Sequence, residues 1–211
     1  MSTIAIVDYG MGNLRSVSKA VEHVDSTVNV SVTSDPAVIQ AASRVIVPGQ
    51  GAMPQCMRAL SDHKLREVVL DAAKNKPFLG ICLGLQMLFE YSEEGNSQAL
   101  GIFPGIVKKF ISQPANGEHQ KLKIPHMGWN QVHQDIAHPL WQSIPENARF
   151  YFVHSYYVAA QKTDIVAAST SYPTPFTCAI AENNIFAVQF HPEKSQLAGL
   201  QLLSNFLKWT P

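Results

Sequence analysis

The chain is poor in cysteine and has no excess of charge of either sign. Its three cysteines, Cys56, Cys82 and Cys178, are odd in number and far apart, which excludes a disulfide framework and a zinc site built on paired cysteines. Lys and Arg together number 16, as do Asp and Glu, so the sequence has no charged field that would attract nucleic acid or an anionic membrane. We therefore expect a protein of the reducing cytosol, in which a functional cysteine would act as a thiol.

Long hydrophobic runs are also missing from the sequence. No apolar run reaches the length needed to span a bilayer. The apolar residues 4–7 are not preceded by a basic segment, and they predict a first strand rather than a signal peptide. With 211 residues, of which 46% are hydrophobic, the chain can bury one substantial core, and we expect a single domain over residues 1–211.

In the first half of the chain, short apolar runs alternate with helical patterns. Continuous apolar segments, typical of strands buried on both faces, are residues 3–7, 45–47 and 78–81. Residues 83–91 are predicted as the helix that follows the third strand. The repeated order of strand, glycine turn and helix predicts an α/β fold with an open, mostly parallel twisted sheet flanked by helices.

The second half of the chain carries strand patterns with few helical ones. These strand-like segments are residues 104–111, 150–153, 165–169, 176–181 and 185–190. They predict an antiparallel extension of the sheet in the C-terminal half, with a hairpin turn at Glu182-Asn183-Asn184. A last helix is expected to bury one face lined by Leu197, Leu200, Leu203, Phe206 and Leu207.

The sharpest motif is Gly80-Ile81-Cys82-Leu83-Gly84, between a predicted strand and a predicted helix. A nucleophile in such a turn projects above the sheet, and the flanking glycines allow the backbone to turn tightly. The start of a helix favours the thiolate form of a cysteine, and the backbone N–H of Leu83 can donate to an oxyanion. Taken alone, Cys82 could equally be a buried structural cysteine.

A second motif, Gln189-Phe190-His191-Pro192-Glu193, also follows a predicted strand. His191 can take a proton from a thiol and give it to a leaving amine, and Glu193 can orient the imidazole. Ligands bind at the carboxyl ends of strands in open α/β sheets, so both motifs are expected at one edge of the sheet. Alone, this motif is more commonly a loop histidine near a surface carboxylate; with Cys82 it predicts a Cys-His-Glu triad.

Two glycine-rich segments have different interpretations. The backbone of Pro48-Gly49-Gln50-Gly51, at a strand end, could supply a second oxyanion donor, although an ordinary strand-to-helix loop would be preferred without the other two motifs. Gly10-x-Gly12 lacks the third glycine of a dinucleotide fingerprint, so no nucleotide cofactor is predicted. No metal is predicted either, because metal-ligand spacing is missing among His23, His63, His119, His133 and His138.

Together, the three motifs at strand ends resemble the class I (triad) glutamine amidotransferases. More narrowly, the chain is similar to the family of glutaminase subunits of imidazole glycerol phosphate synthase. The segments that carry the resemblance are Ile6-Val7-Asp8-Tyr9-Gly10-Met11-Gly12-Asn13-Leu14, Pro125-His126-Met127-Gly128-Trp129-Asn130, His154-Ser155-Tyr156-Tyr157 and residues 189–195. Among them, residues 9–14 and 125–130 are the ones that select the subunit. The chain departs from the family at Gln50, where valine is usual, and at Met53, where an aromatic residue is common. A backbone oxyanion donor should be little affected by either change.

The resemblance implies which residues carry out the hydrolysis of L-glutamine. Cys82 is the nucleophile, His191 the acid and base, and Glu193 the partner that orients it. The implied oxyanion hole is the backbone of Leu83, Gln50 and Gly51. The implied glutamine-binding residues are Gly49, Gly51, Gln86, Ser155 and Tyr156. Gln86 lies one helical turn after Cys82 and can face the same pocket, although a solvated helix residue is the plainer interpretation.

The resemblance also implies a partner, a (β/α)8-barrel cyclase subunit that receives the ammonia in a heterodimer. The implied interface residues are Met11, Asn13, Trp129, Asn130, Tyr151 and Lys194. Two other functions fit the motifs less well. The first is another class I glutaminase, which would respond to its own synthase, or a cysteine hydrolase that cleaves extended peptides without a partner. The second is a binding module used mainly as an assembly partner, which would not need a complete triad.

Overall fold

The computed structural model describes residues 3–111 and 122–211, so His119 lies outside the described residues. The strands are β1 (Thr3–Val7), β2 (Asn29–Thr33), β3 (Arg44–Gly49), β4 (Phe78–Cys82), β5 (Phe89–Ser92), β6 (Ser97–Gln98), β7 (Phe103–Lys109), β8 (His126–Gln131), β9 (His133–Gln134), β10 (Arg149–His154), β11 (Tyr156–Ala160), β12 (Val166–Ser171), β13 (Pro175–Glu182) and β14 (Ile185–Val188). The α-helices are α1 (Leu14–Val24), α2 (Pro36–Ala41), α3 (Met53–Asp62), α4 (Arg66–Asn75), α5 (Leu83–Gln86) and α6 (Gln196–Lys208). Among the described residues, we find no helix with the length and apolar character to cross a membrane.

The main sheet has the order β2-β1-β3-β4-β14-β13-β11-β7-β5-β6. Its first five strands pair in parallel, whereas β13 and β11 run antiparallel to their neighbours. This confirms the predicted mostly parallel α/β sheet with an antiparallel extension. The predicted hairpin is also confirmed, because Glu182 pairs with Ile185 across a turn in which Asn183 has a φ of 53°.

The parallel strands are apolar on both faces because helices cover both sides of the sheet. In β1, Ala5 and Val7 belong to one buried cluster, and Ile4 and Ile6 belong to the other. Helices α2, α3 and α4 contribute to the first cluster, and α1 and α6 to the second. Burial of one such branched side chain stabilises the fold by about 1.5–3 kcal/mol. These two clusters fix the carboxyl ends of β3, β4 and β14 beside one another.

The helix predicted over residues 83–91 is wrong in its length. Helix α5 ends at Gln86, and the chain then enters β5, which pairs in parallel with β7. Leu88 and Phe89 are fully buried there. The sheet edge offers hydrogen bonds and an apolar surface that local helical periodicity does not reveal, so tertiary pairing overrides the helix pattern.

The face predicted for the last helix is also wrong in part. Leu197 is 84% exposed, whereas Leu202, Leu203 and Phe206 are fully buried. The buried stripe of α6 starts at Gly199, which approaches the turn before the helix so closely that a Cβ atom would lie 1.9 Å from the carbonyl oxygen of Pro192. Gly199, rather than Leu197, therefore lies on the buried face of the helix.

Residues 150–153 do not extend the main sheet as expected. They belong to β10, which pairs with β8 in a separate two-stranded antiparallel sheet. Strand β8 was not predicted because its apolar residues, Met127 and Trp129, project outward, whereas its more buried positions hold His126, Gly128 and Asn130. The N–H of His191 donates to the carbonyl of Tyr151 at 2.9 Å, and the N–H of Tyr151 donates to Ser195 Oγ at 2.9 Å. The small sheet is therefore fixed to the turn that carries His191.

Candidate active site

Cys82 is the last residue of β4 and directly precedes helix α5. Its backbone has a φ of 56° and a ψ of −109°, in a region that residues with a side chain rarely adopt. Such strain persists where the surrounding structure enforces it, and it concentrates at functional sites. Cys82 is 7% exposed, in contrast to Cys56 and Cys178, which are fully buried.

The turn at Cys82 depends on a close approach between α5 and β3. A Cβ atom on Gly84 would lie 1.9 Å from the carbonyl oxygen of Val47, far inside van der Waals contact. Only glycine therefore fits at position 84. Strand β3 ends beside Cys82, because Gly49 is paired with Cys82 in the register between β3 and β4.

His191 and Glu193 form a buried pair on the turn that follows β14. The Nδ1 atom of His191 lies 2.8 Å from Glu193 Oε1, and their side chains are 3% and 1% exposed. A carboxylate only accepts, so Nδ1 of His191 is the donor and the Nε2 atom is left for the substrate side. Nε2 is buried and makes no hydrogen bond with the described residues.

The protonation of His191 is set by opposing effects. Burial by itself lowers the pKa of His191, but the negative charges of the Cys82 thiolate and the Glu193 carboxylate outweigh it and raise the pKa to about 10. Since Nε2 makes no hydrogen bond here, the thiolate acts on the imidazole through its charge. The site therefore favours the imidazolium form of His191 at neutral pH.

One pocket of about 400 Å³ joins these elements at the carboxyl edge of the sheet. It is lined by Gln50, Gly51, Cys82, Leu83, Gln86, Glu94, Pro125, Val153, His154, Ser155, Tyr156, His191 and Lys194. The residues predicted for the triad, the oxyanion hole and glutamine binding thus come together, with two exceptions. Glu193 lies behind His191. Both Glu193 and Gly49 line a second, smaller cavity on the other side of the Gln50 loop.

A family model described as glutamine amidotransferase class-I matches residues 5–209. An imidazole glycerol phosphate synthase subunit HisH from Nitrosomonas europaea is 70% identical over 212 residues, covering 100% of both chains. The chain belongs to the HisH family of class I glutamine amidotransferases. A second HisH subunit, from Nitrosospira multiformis, is 62% identical to this amidotransferase, again over 100% of both chains. The resemblance stated from the sequence is confirmed.

Solved structures share the fold of this amidotransferase at low identity. The glutaminase domain of Trypanosoma brucei CTPS with bound acivicin superposes with a TM-score of 0.65 at 18% identity, covering 100% of this chain and 96% of the other. A crystal structure of a glutamine amidotransferase gives a TM-score of 0.68 at 14% identity, covering 97% of each chain. At these identities the comparison shows the common fold.

Gln86 of the amidotransferase is only 3% exposed, so it is not a solvated helix residue. Its Nε2 atom donates to the carbonyl of Tyr156 at 3.0 Å and to Gln189 Oε1 at 2.9 Å. Gln189 in turn lies 3.6 Å from Cys82, measured from Nε2 to Sγ. Sequence reasoning missed Gln189, although a polar residue at the end of a buried strand and two positions before His191 was an available signal.

The residues predicted at a partner interface fall into two groups. Trp129 and Tyr151 face each other on β8 and β10 with ring centroids 6.1 Å apart, and Lys194 Nζ lies 5.9 Å from the Tyr151 ring. These three form one surface beside the pocket, and Trp129 is 40% exposed. Because Lys194 also lines the pocket, this surface begins at the rim of the active site.

The other predicted interface residues have contacts within the chain. Asn13 accepts a hydrogen bond from the N–H of Ser16 at 3.4 Å and so caps helix α1. The side chain of Asn130 donates to the carbonyl of Ser171 at 2.9 Å. Met11 is half-buried against the first core cluster. Asn13, Asn130 and Met11 therefore each stabilise the fold of this chain through a cap, a hydrogen bond or core packing.

Sequence reasoning also missed Glu94 and the buried histidines of the small sheet. Glu94 lines the pocket and accepts the N–H of Met53 at 2.7 Å. His126 and His154 are 3% and 6% exposed and lie opposite each other in the register of β8 and β10. The contact of Glu94 with Met53 and that of His126 with His154 leave no signal in the sequence, because each joins segments more than 25 residues apart.

Proposed function

We propose that this amidotransferase is the glutaminase subunit of an imidazole glycerol phosphate synthase in histidine biosynthesis. It hydrolyses L-glutamine to glutamate and ammonia and delivers the ammonia to a cyclase subunit, in the cytosol and as one domain over residues 1–211. The single observation that carries the glutaminase proposal is the buried 2.8 Å contact of His191 with Glu193 at the pocket that holds Cys82. The high identity to HisH subunits over the full length supports the choice of synthase.

The first half of the proposed reaction forms a thioester. The Cys82 thiolate attacks the side-chain amide carbon of glutamine, a C–S bond forms, and the carbonyl electron pair moves to oxygen. The backbone N–H groups of Leu83 and of the Gln50–Gly51 loop stabilise that oxyanion. The imidazolium of His191 protonates the amide nitrogen, the C–N bond breaks, and ammonia leaves.

The second half releases glutamate. His191, now neutral, takes a proton from a water molecule that attacks the thioester carbon. The tetrahedral intermediate collapses, the C–S bond breaks, and the Cys82 thiolate and the His191 imidazolium are restored. Glu193 holds the imidazole through Nδ1 so that Nε2 faces the reacting atoms.

The lining of the pocket suits the zwitterion of an amino acid. Gly51, Gln86, Ser155 and Tyr156 provide polar backbone or amide groups around it. Glu94 and Lys194 add one acidic and one basic side chain, complementary to an α-ammonium and an α-carboxylate. Gly49 would contribute indirectly, by holding the Gln50–Gly51 loop close to Cys82.

The proposed partner is a (β/α)8-barrel cyclase that binds the surface of Trp129, Tyr151 and Lys194. Met127, which is 59% exposed on the same strand as Trp129, extends this surface with apolar area. Ammonia becomes protonated in bulk water and loses its nucleophilicity, so the acceptor site has to connect directly with the glutaminase pocket. A surface that begins at the pocket rim provides the shortest such connection.

The deciding experiment measures glutamate release from glutamine by this chain, alone and with the cyclase and its nucleotide. We expect little turnover by the isolated chain, strong stimulation by the cyclase, and loss of both in the Cys82→Ala variant. No release under any condition would contradict the synthase assignment. Rapid turnover by the isolated chain would contradict dependence on the partner and favour an independent hydrolase.

A further inference from the structure

A buried hydrogen-bonded chain of side chains ends on the sulfur of Cys82. Gln189 is fully buried, and its Nε2 atom lies 3.6 Å from Cys82 Sγ. Its Oε1 atom accepts from Gln86 Nε2 at 2.9 Å, and the same Gln86 nitrogen donates to the carbonyl of Tyr156 at 3.0 Å. The proposed reaction makes no use of Gln189, so this placement needs its own explanation.

The orientation of the Gln189 amide follows from its neighbours. The carbonyl of Tyr156 can only accept, so Gln86 has to present its NH₂ group on that side. That same NH₂ group meets Gln189, which therefore has to present its oxygen. The NH₂ group of Gln189 is left facing Cys82, and it cannot flip without placing two donors or two acceptors against each other.

The backbone of Gln189 is fixed as firmly as its side chain. Its N–H donates to the carbonyl of Cys178 at 2.8 Å, directly after β14 ends. Gln189 lies two residues before His191, so one turn supplies both neighbours of the sulfur. The imidazolium contributes charge and the amide contributes a directed N–H donor, and a donor to the charged form favours the thiolate over the thiol.

We propose that Gln189 is a positioning residue for Cys82, which donates a hydrogen bond to the thiolate and holds it in the orientation for attack. This rests on the proposed function only in taking Cys82 as the nucleophile. Through Oε1, the same side chain also holds Gln86 at the pocket wall. Loss of the amide would therefore reduce both the thiolate population and the order of the pocket.

The first test measures alkylation of Cys82 by iodoacetamide as a function of pH, by peptide mapping, in Gln189→Leu, Gln189→Glu and native protein. The exposed Gln161, at the other end of β11 from the pocket, provides the control variant Gln161→Leu. On the rising limb of the native pH profile we expect about tenfold slower alkylation in Gln189→Leu, since a hydrogen bond to a charged group is lost. Alkylation in Gln189→Glu should be slower still, because a carboxylate would face the thiolate. Both profiles should move to higher pH, whereas Gln161→Leu should match the native profile.

A profile of folded Gln189→Leu that superimposes on the native one would overturn the proposal. If both Gln189 variants fail to fold, the native chain decides through the ¹⁵N signals of its side-chain amides. One glutamine NH₂ signal should move with the same pH midpoint as Cys82 alkylation and should lose this response in Cys82→Ser. No signal with that midpoint would also overturn the proposal.

Glutamine hydrolysis in the complex with the cyclase and its nucleotide gives a second readout. On the rising limb of the kcat–pH profile we expect kcat of Gln189→Leu to be about tenfold lower than that of the native protein, in proportion to the loss of thiolate. Equal kcat in Gln189→Leu and native protein would contradict the role. Because alkylation requires neither glutamine nor a partner, the alkylation result stands even if this chain turns out not to hydrolyse glutamine.

Discussion

The Nδ1 atom of His126 lies 2.9 Å from the Nε2 atom of His154 inside the small sheet. His154 Nδ1 lies 2.7 Å from the carbonyl of Tyr156, which only accepts, so this nitrogen carries the proton. Nε2 of His154 therefore accepts from His126, and both rings are neutral. Protonation of His154 would place two N–H donors against each other. Because His154 and Tyr156 line the pocket, the order of the pocket wall depends on this pair of histidines staying neutral.

Stability should decline on mild acidification because three buried histidines resist protonation. Burial lowers the pKa of His126 and His138 to about 4 and that of His154 to about 3, from an ordinary value of 6.5. The unfolded chain takes up these protons near pH 6.5, whereas the folded chain does not, so the contribution of these three rings to the free energy of unfolding is complete above that pH and is lost towards pH 4. His191, whose pKa is raised to about 10, is protonated in both states below pH 6.5 and does not offset this decline. Each histidine contributes at most about 1.4 kcal/mol per pH unit.

Urea unfolding between pH 7.5 and 4.5 measures this decline. The variant His138→Asn keeps a side-chain acceptor for the N–H of Leu140, which His138 Nδ1 accepts at 3.1 Å in the native chain. It should show a shallower slope than the native protein. A free energy of unfolding that stays constant down to pH 4.5 would show that these rings take up protons without cost in the folded state.

Glu193→Gln should remove most of the glutaminase activity and leave glutamine binding nearly unchanged. The amide keeps the size of the carboxylate but loses its charge and can present an N–H to His191, which would place the proton of the imidazole on Nε2. By analogy with other triads, we expect kcat to fall roughly 10³-fold. KM should change little, because Glu193 is not among the residues that line the pocket.

A matched control for Glu193→Gln is available on the surface. Glu146 Oε1 lies 2.8 Å from His133 Nδ1, the same contact in a pair whose side chains are 47% and 61% exposed. Glu146→Gln should therefore leave kcat at the native value. A Glu193→Gln variant that retains native kcat would show that the buried carboxylate is not needed to orient His191.

Gly84→Ala should destabilise the turn that presents Cys82. The added Cβ atom would lie 1.9 Å from the carbonyl oxygen of Val47, so α5 or β3 has to move. We expect a loss of about 2–3 kcal/mol in the free energy of unfolding, measured with urea, and slower alkylation of Cys82. Gly101→Asn is the control, because nothing lies within 4 Å of a Cβ atom at Gly101 and asparagine tolerates its φ of 71°. Equal stability of the two variants would contradict the close approach.

Trp129→Ala should weaken binding of the cyclase without changing the isolated active site. Loss of a central aromatic residue costs about 2 kcal/mol at many interfaces, or roughly a thirtyfold increase in Kd. Alkylation of Cys82 in the isolated chain should stay at the native rate. Leu197→Ala, which removes another exposed apolar side chain on α6, should leave the affinity unchanged. Equal affinities for both variants in a titration with the cyclase would place the partner elsewhere.

Sequence patterns predicted the parts of this molecule that local chemistry determines. The strands β1, β3 and β4 could be found because burial on both faces requires continuous apolar runs. The turn at Cys82 could be found because two glycines flank a nucleophile. Contacts between distant segments left no such pattern. The pairing of β5 with β7 ended a predicted helix, and the contacts of Gln189 with Cys82 and Gln86 depend on the order of strands in the sheet.

The left-handed backbone at Cys82 has a consequence for protein engineering. Holding a residue with a side chain at a φ of 56° costs on the order of 1–2 kcal/mol, and glycine adopts this conformation almost without penalty. A directed-evolution screen that rewards heat resistance alone would therefore be expected to enrich Cys82→Gly. A more heat-resistant protein obtained in this way would have lost its reactive sulfur.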